Sequence, residues 1–165
     1  MILNPDTIVK PRAIQSLIDF MDSHPRAGIA SSRLEEPDGS PQCAAHYGPT
    51  PLHELDAGAQ AWVSLKVFGR QPLSPPAASE SHRCDWSSGA SMIIRREVFE
   101  RIGLLDEGYF LYFDEVDFCR SARGAGWEVW YVAESRIVHL EGASTGINVA
   151  RKRRGRYWFE SRRRV

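Results

Sequence analysis

Cysteine is scarce in this 165-residue chain, and the three that occur, Cys43, Cys84 and Cys119, are far apart and never in C-x-x-C spacing. An odd, scattered set argues against a disulfide framework and against a zinc site, and fits a reducing compartment. Long hydrophobic runs are also missing. Nothing approaches the roughly 20 apolar residues that a membrane-spanning helix needs. The first residues, Met1 to Asp6, lack the basic start and apolar core of a secretory leader. There is no net charge and no internal repeat. What remains is a chain of one ordinary domain, long enough for a real core and with the composition of a globular protein.

The absent net charge conceals an uneven spread. Residues 151–165 carry eight arginines or lysines and one acid, Glu160, a net +7 that leaves −7 on the rest. A basic tail on an acidic body suits contact with an anion: a phosphate, a lipid head group or a nucleic acid.

Periodicity sets out the elements. Met1 to Asn4 reads as the end of a buried strand that opens into Pro5-Asp6-Thr7. Pro11 can sit in a first helical turn, and Ile14, Leu17, Ile18 and Met21 repeat at helical spacing, so a helix is expected over 11–23. Ala27 to Ser32 reads as a strand, Glu36 to Ser40 as a turn, and Gln42 to Ala45 as a strand pairing back in a hairpin. Five prolines between 47 and 83 blur the pattern, leaving a short helix near 52–68 and a mobile loop over 72–79. Then come a strand over Ser91–Ile94, a helix over Arg95–Ile102 stopped by Gly103, and a helix from Asp114 to Ala125. Two further strands, Trp127–Val132 and Ser135–Leu140, a loop over 142–146 and a basic aromatic helix over 149–164 complete the chain. Strands alternating with helices indicate an α/β class.

Five places could carry chemistry. Asp6 leaves the exit of an apolar strand, where α/β sheets place ligands, and a carboxylate there suits a hard cation. It is equally a turn-forming aspartate. Trp86-Ser87-Ser88-Gly89-Ala90 sets one aromatic and small residues before a buried strand, either a pocket floor or a tight strand entry. Asp114, Glu115 and Asp117 follow the aromatic run Tyr109-Phe110-Leu111-Tyr112-Phe113; acids in a first turn favour the helix dipole whatever else they do. His139 ends a strand, as a structural imidazole or a ligand. The basic tail with Tyr157, Trp158 and Phe159 has the makings of a nucleic-acid contact, but one helix is a weak signal and nucleic acid is not the expected partner.

Taken together, the order and spacing of these pieces resemble the family 2 glycosyltransferases, the inverting nucleotide-sugar enzymes of GT-A fold, in particular their rhamnosyltransferase-like bacterial branch. The resemblance rests on Leu3-Asn4-Pro5-Asp6-Thr7, on Ser88 to Phe99, on Gly103-Leu104-Leu105-Asp106-Glu107, on Phe110 to Cys119, on Ala125-Gly126-Trp127 and on Val138 to Ser144. It implies the later portion of a GT-A fold, a mixed sheet flanked by helices, over 1–148, followed by the basic tail over 149–165. A nucleotide-binding half preceding residue 1 is expected and missing.

The resemblance also implies roles. Asn4-Pro5-Asp6 falls on the D-x-D element, so Asp6 is expected to hold a divalent cation, Mg²⁺ or Mn²⁺, with His139 beside the metal or diphosphate. Asp114-Glu115 falls on the acidic pair that supplies the catalytic base. The commoner order is Glu-Asp with the second as base; position therefore favours Glu115 and residue type Asp114. Asn4, Trp86, Ser88, Gly89, Ala90 and Asp117 are expected at the substrates. The implied reaction is inverting sugar transfer from a nucleotide-diphospho-sugar to a glycan or lipid-linked acceptor in cell-surface polysaccharide synthesis. The implied location is cytoplasmic, reaching the inner face of the cytoplasmic membrane through the basic tail. The alternative from another class is a truncated, non-catalytic binding or interaction module derived from such an enzyme.

Overall fold

A computed structural model of the chain describes residues 1–47, 79–140 and 155–165. The expected elements within 48–78 and 141–154, including the helix near 52–68 and the loop over 142–146, lie outside the described residues.

The frame is a six-stranded mixed sheet. Its strands are β1 (Ile2–Leu3), β2 (Thr7–Val9), β3 (Ala27–Glu35), β5 (His82–Cys84), β7 (Ser91–Ile94) and β8 (Glu128–His139). The order is β1-β7-β3-β8-β2, with β5 also on β8. Among the described strands only β3 and β8 run parallel; every other described pair is antiparallel. The other edge of β8 is shared, with β5 on Val129–Tyr131 and β2 on Ile137–His139. A separate two-stranded ribbon joins β4 (Ala45–His46) to β6 (Trp86–Ser87).

Four helices are described: α1 (Ala13–Ser23), α2 (Arg96–Ile102), α3 (Asp114–Gly124) and α4 (Arg156–Arg164). Leu17 and Met21 of α1 pack on Ala27, Ala30 and Val132 on one sheet face. On the opposite face Val98 of α2 and Phe118, Cys119 and Ala122 of α3 join Ile29, Met92, Val129, Tyr131 and Ile137. The strands send alternate residues to opposite faces, and the two cores divide on that rule.

Several expectations change. The residues expected as two strands, Trp127–Val132 and Ser135–Leu140, are one continuous strand. Its pairing to β3 jumps from Ser32↔Val132 to Arg33↔Arg136, so Ala133, Glu134 and Ser135 form a bulge without ending the strand. The inserted Ser135 turns inward, and its Oγ lies 2.7 Å from Ser32 Oγ, which lies 2.8 Å from Ser91 Oγ. The hairpin expected at Gln42–Ala45 forms only at its start, where Glu35 bridges Pro41 and Gln42 N donates to Leu34 O at 2.9 Å; Ala45–His46 pairs with Trp86–Ser87 instead. The sequence reading missed β2 and β5, each three residues long. Helix α1 begins after Pro11, at Ala13, because Arg12 is left-handed with φ 66°.

Close approach settles one glycine. A Cβ at Gly28 would lie 2.7 Å from Trp127 Cβ and 2.9 Å from Val98 Cγ2, so only glycine lets β3 pass under that tryptophan.

Candidate functional site

The Asn4-Pro5-Asp6 turn carries the chain from one edge of the sheet to the other. The Asn4 amide donates to Ala90 O at 3.0 Å, and Asn4 O accepts from Thr7 Oγ1 at 2.6 Å. The chain then joins β8 with Thr7 opposite His139, and Leu140 N donates to Asp6 O at 2.9 Å. This register brings Asp6 Oδ1 to 3.5 Å from His139 Nε2, with the two side chains 12% and 13% exposed. The two residues singled out for a metal thus meet, although 133 positions separate them in the chain.

Nearby, a cluster of basic side chains gathers on one buried acid. The fully buried Glu35 receives Lys10, Arg33 and Arg136, the latter two at 2.9 and 2.8 Å. Burial alone would raise the Glu35 carboxyl, but hydrogen bonds from Arg136 and Lys10 outweigh it and hold the group below its usual range. The cluster ties the ends of β2, β3 and β8 together where Asp6 and His139 emerge.

A cavity of about 330 Å³ opens beside His139, lined by Leu34, Glu36, Gln42, Cys43 and Ser88. Gln42 Nε2 donates to His139 O at 2.9 Å and to Glu36 Oε1 at 2.8 Å. Asp6 and His139 supply a carboxylate and an imidazole, donors that a divalent cation accepts. Among the described residues no group of three or more His, Cys, Asp or Glu side chains could hold a metal. Two donors fall short of a full coordination set, so an ion held there would need further oxygen ligands.

The acidic pair opens α3, whose first turn holds Asp114, Glu115 and Asp117. The residue before it, Phe113, is left-handed with φ 70°, and so is Tyr112 with φ 65°. Two successive aromatic residues in that region cost energy, and such strain gathers at functional sites. The Glu115 carboxyl is pushed up to about 8 by burial, by its hydrogen bond to Asp114 and by that neighbour's charge; the backbone N–H groups of Glu115 and Phe113 oppose the rise only partly. The charge of Asp117 acts on Tyr109 and Arg164, away from this pair.

The small-residue loop closes the circle. A Cβ on Gly89 would stand 3.6 Å from Glu115 Cβ, so the glycine backbone lies directly against the acid. Ser88 is tied by its amide to Ala44 O at 2.9 Å, and its Oγ accepts from Ala90 N at 3.3 Å. Trp86 stacks on His46, centroids 4.0 Å apart, and faces a larger cavity of about 1380 Å³ that Phe113, Arg120, Trp127 and Trp158 also line. Asn4, Asp6, Ser88, Gly89, Ala90, Glu115 and His139 therefore form one continuous neighbourhood.

Sequence reasoning missed Gln42 and Cys43, because nothing local marks a residue that becomes a cavity wall only through tertiary pairing. It also missed the strain at Tyr112 and Phe113. No glycine stands there to announce a left-handed turn.

Known proteins align with this arrangement. The profile of the family described as "glycosyltransferase like family 2" matches residues 1–158. An N-acetylglucosaminyl-diphospho-decaprenol L-rhamnosyltransferase of Mycobacterium tuberculosis is 32% identical over 151 residues, covering 88% of this chain and 48% of the relative. A low-salt glycan biosynthesis hexosyltransferase of Haloferax volcanii is 30% identical over 74% of this chain and 36% of its own length. An O-antigen biosynthesis protein of Myxococcus xanthus is 29% identical over 87% of the chain and 11% of its own length. The chain thus spans about half the length, or less, of these curated relatives. With a family match over nearly every residue, and with the site built from the segments that match, the chain belongs to the family 2 glycosyltransferases.

Proposed function

We propose that this chain carries the catalytic and acceptor-facing portion of an inverting sugar transferase acting in cell-surface polysaccharide synthesis. The donor is a nucleotide-diphospho-sugar, with a rhamnosyl donor favoured by the name of the mycobacterial relative. The acceptor is a glycan or lipid-linked saccharide hydroxyl. The observation that carries this reading is Glu115: half-buried, hydrogen-bonded to Asp114 and set against Gly89, whose neighbour Ser88 lines the cavity at His139.

In this reading Glu115, rather than Asp114, is the base. A base works best when its pKa lies near the operating pH, and burial beside Asp114 moves Glu115 there. The carboxylate takes the acceptor proton as the hydroxyl oxygen bonds to the anomeric carbon. The bond from that carbon to the diphosphate oxygen breaks on the opposite side, and configuration inverts. Asp114 holds the Glu115 carboxyl in place. Asp6 and His139 would hold a Mg²⁺ or Mn²⁺ ion, which when bound offsets charge on the departing diphosphate. Ser88, Gly89 and Ala90 with Asn4 border the sugar, and Trp86 offers a flat face to the acceptor from the larger cavity.

The test uses the chain with a nucleoside-diphospho-rhamnose and an N-acetylglucosaminyl-diphospho-lipid. Glu115→Gln is expected to lower kcat by about 10²–10⁴-fold, the usual weight of a positioned base. Asp114→Asn is expected to reduce kcat less and to move the acidic limb of the pH profile downward, because one cause of the raised Glu115 pKa is removed. Undiminished turnover in Glu115→Gln would sink the assignment of the base.

A further inference from the structure

Helix α4 is not a free basic tail. Tyr157 meets Phe110 and Tyr112 with ring centroids 5.8 and 6.4 Å apart, and Trp158 meets Phe113 edge-on at 5.5 Å. Ser161 Oγ donates to Leu111 O at 3.1 Å. Arg164 grips Asp106 Oδ2 through Nε at 2.9 Å and Nη2 at 2.7 Å, and its guanidinium lies 5.4 Å over the Tyr109 ring. Arg120 of α3 closes the arrangement by donating to Val165 O at 2.5 Å. Every one of these contacts falls on Asp106–Phe113 or on α3 itself.

That loop is the strained one. Tyr112 and Phe113 hold left-handed backbones with no glycine to relieve them, and Phe113 is the residue from which α3 springs. Left-handed conformations at bulky residues persist only when surrounding contacts over-determine them. Its first half is anchored by the buried Tyr109 and by the Gly108 and Tyr109 amides donating to Asp106, whereas Phe110, nearer the strained pair, is 82% exposed. The side chains of α4 fall at i, i+1, i+4 and i+7 on the loop, one face of a helix, and leave Arg156, Phe159 and Arg163 outside.

We propose that α4 is a positioning element for the acidic pair: Tyr157, Trp158, Ser161 and Arg164 hold Tyr112 and Phe113 in their left-handed conformation, and so set where Asp114 and Glu115 stand. The proposal rests on the reading of Glu115 as the base. Tyr157, Ser161 and Arg164 act through the loop, and so does Trp158 through Phe113, although its ring also lines the larger cavity.

The test reads the full chain without any substrate. Glutamate carboxyl carbons are followed by NMR through a pH titration, and chymotrypsin cleavage at Tyr112 and Phe113 is timed in parallel. In Trp158→Ala and Arg164→Ala the loop relaxes, Glu115 gains water and separates from Asp114, and its titration is expected to fall by about one unit or more. Cleavage at Tyr112 and Phe113 is expected to accelerate by roughly tenfold as local opening becomes easier. Trp158→Phe keeps an edge-on ring and is expected to restore both readings. Arg163→Ala, on the exposed face, is expected to change neither. If Glu115 titrates as in the unaltered chain in both alanine variants, the proposal is overturned. Faster cleavage with an unmoved titration also overturns it, since α4 would then only cover the loop. The base assignment fails separately: active Glu115→Gln would remove the base while leaving these readings intact.

Discussion

Tyr112, Phe113 and Glu115 hold most of the chemical information in this chain at the scale of single residues. The first two hold left-handed backbones where the helix begins, and desolvation of the half-buried third favours its protonated form. Burial has a measurable consequence for stability. An ordinary glutamate loses its proton near 4.5, whereas folded Glu115 keeps its proton up to about 8. Between those values the folded state binds a proton that the unfolded state has released, so stability falls as pH rises. Below that window both states are protonated and the group contributes nothing; above it both are ionised and the full penalty is present. Glu115→Gln is therefore expected to melt with the unaltered chain at pH 4 and above it at pH 9, with the gap opening in between. A gap that stays constant across pH would show that Glu115 is not buried as a proton carrier. The acids were visible in the sequence as a first turn; which of them is desolvated was not, because that depends on Gly89, which lies 26 positions earlier.

Strand β8 organises the elements. It pairs with β3 along one edge and with β5 and then β2 along the other, and its end delivers His139 to Asp6. The sequence divided it in two because Ala133 and Glu134 interrupt an apolar run. A bulge leaves the same mark on a sequence as a turn, and only pairing distinguishes them. The two-residue strands β4 and β6 were illegible for a related reason: so short a strand has no period, and its partner lies 40 residues away. By contrast α1, α2, α3 and β7 were readable from apolar spacing and stop signals, with ends within about two residues, the usual uncertainty of element boundaries. Gly28 offers a test at this scale. Gly28→Ala places a methyl into Trp127 and Val98, and is expected to cost about 1–3 kcal/mol, read as a lower denaturant midpoint at unchanged slope. Full stability would mean that β3 and α2 are not packed so closely.

For the whole molecule, the sheet separates a structural face from a chemical one. Helix α1 covers one side, while α2 and α3 cover the other and present the acids. Leu17, completely buried in the α1 core, is therefore expected to be independent of the site. Leu17→Ala should lower stability by about 2–5 kcal/mol in denaturant melts while leaving the Glu115 titration in place, since distant sites act additively. A shifted titration would show that the two faces are coupled. The sequence by itself determined the α/β class, the helices that carry long apolar stripes, the acidic and basic segments and the family they resemble. Those properties follow from local spacing and residue type, which the chain carries wherever it folds. Tertiary structure alone decided that Asp6 meets His139, that Gly89 lies against Glu115, and that the basic tail grips the loop ahead of the acids. The first depends on strand register, where a slip of one residue would turn the side chain to the other face, and the other two on helices α3 and α4 packing against loops distant in sequence.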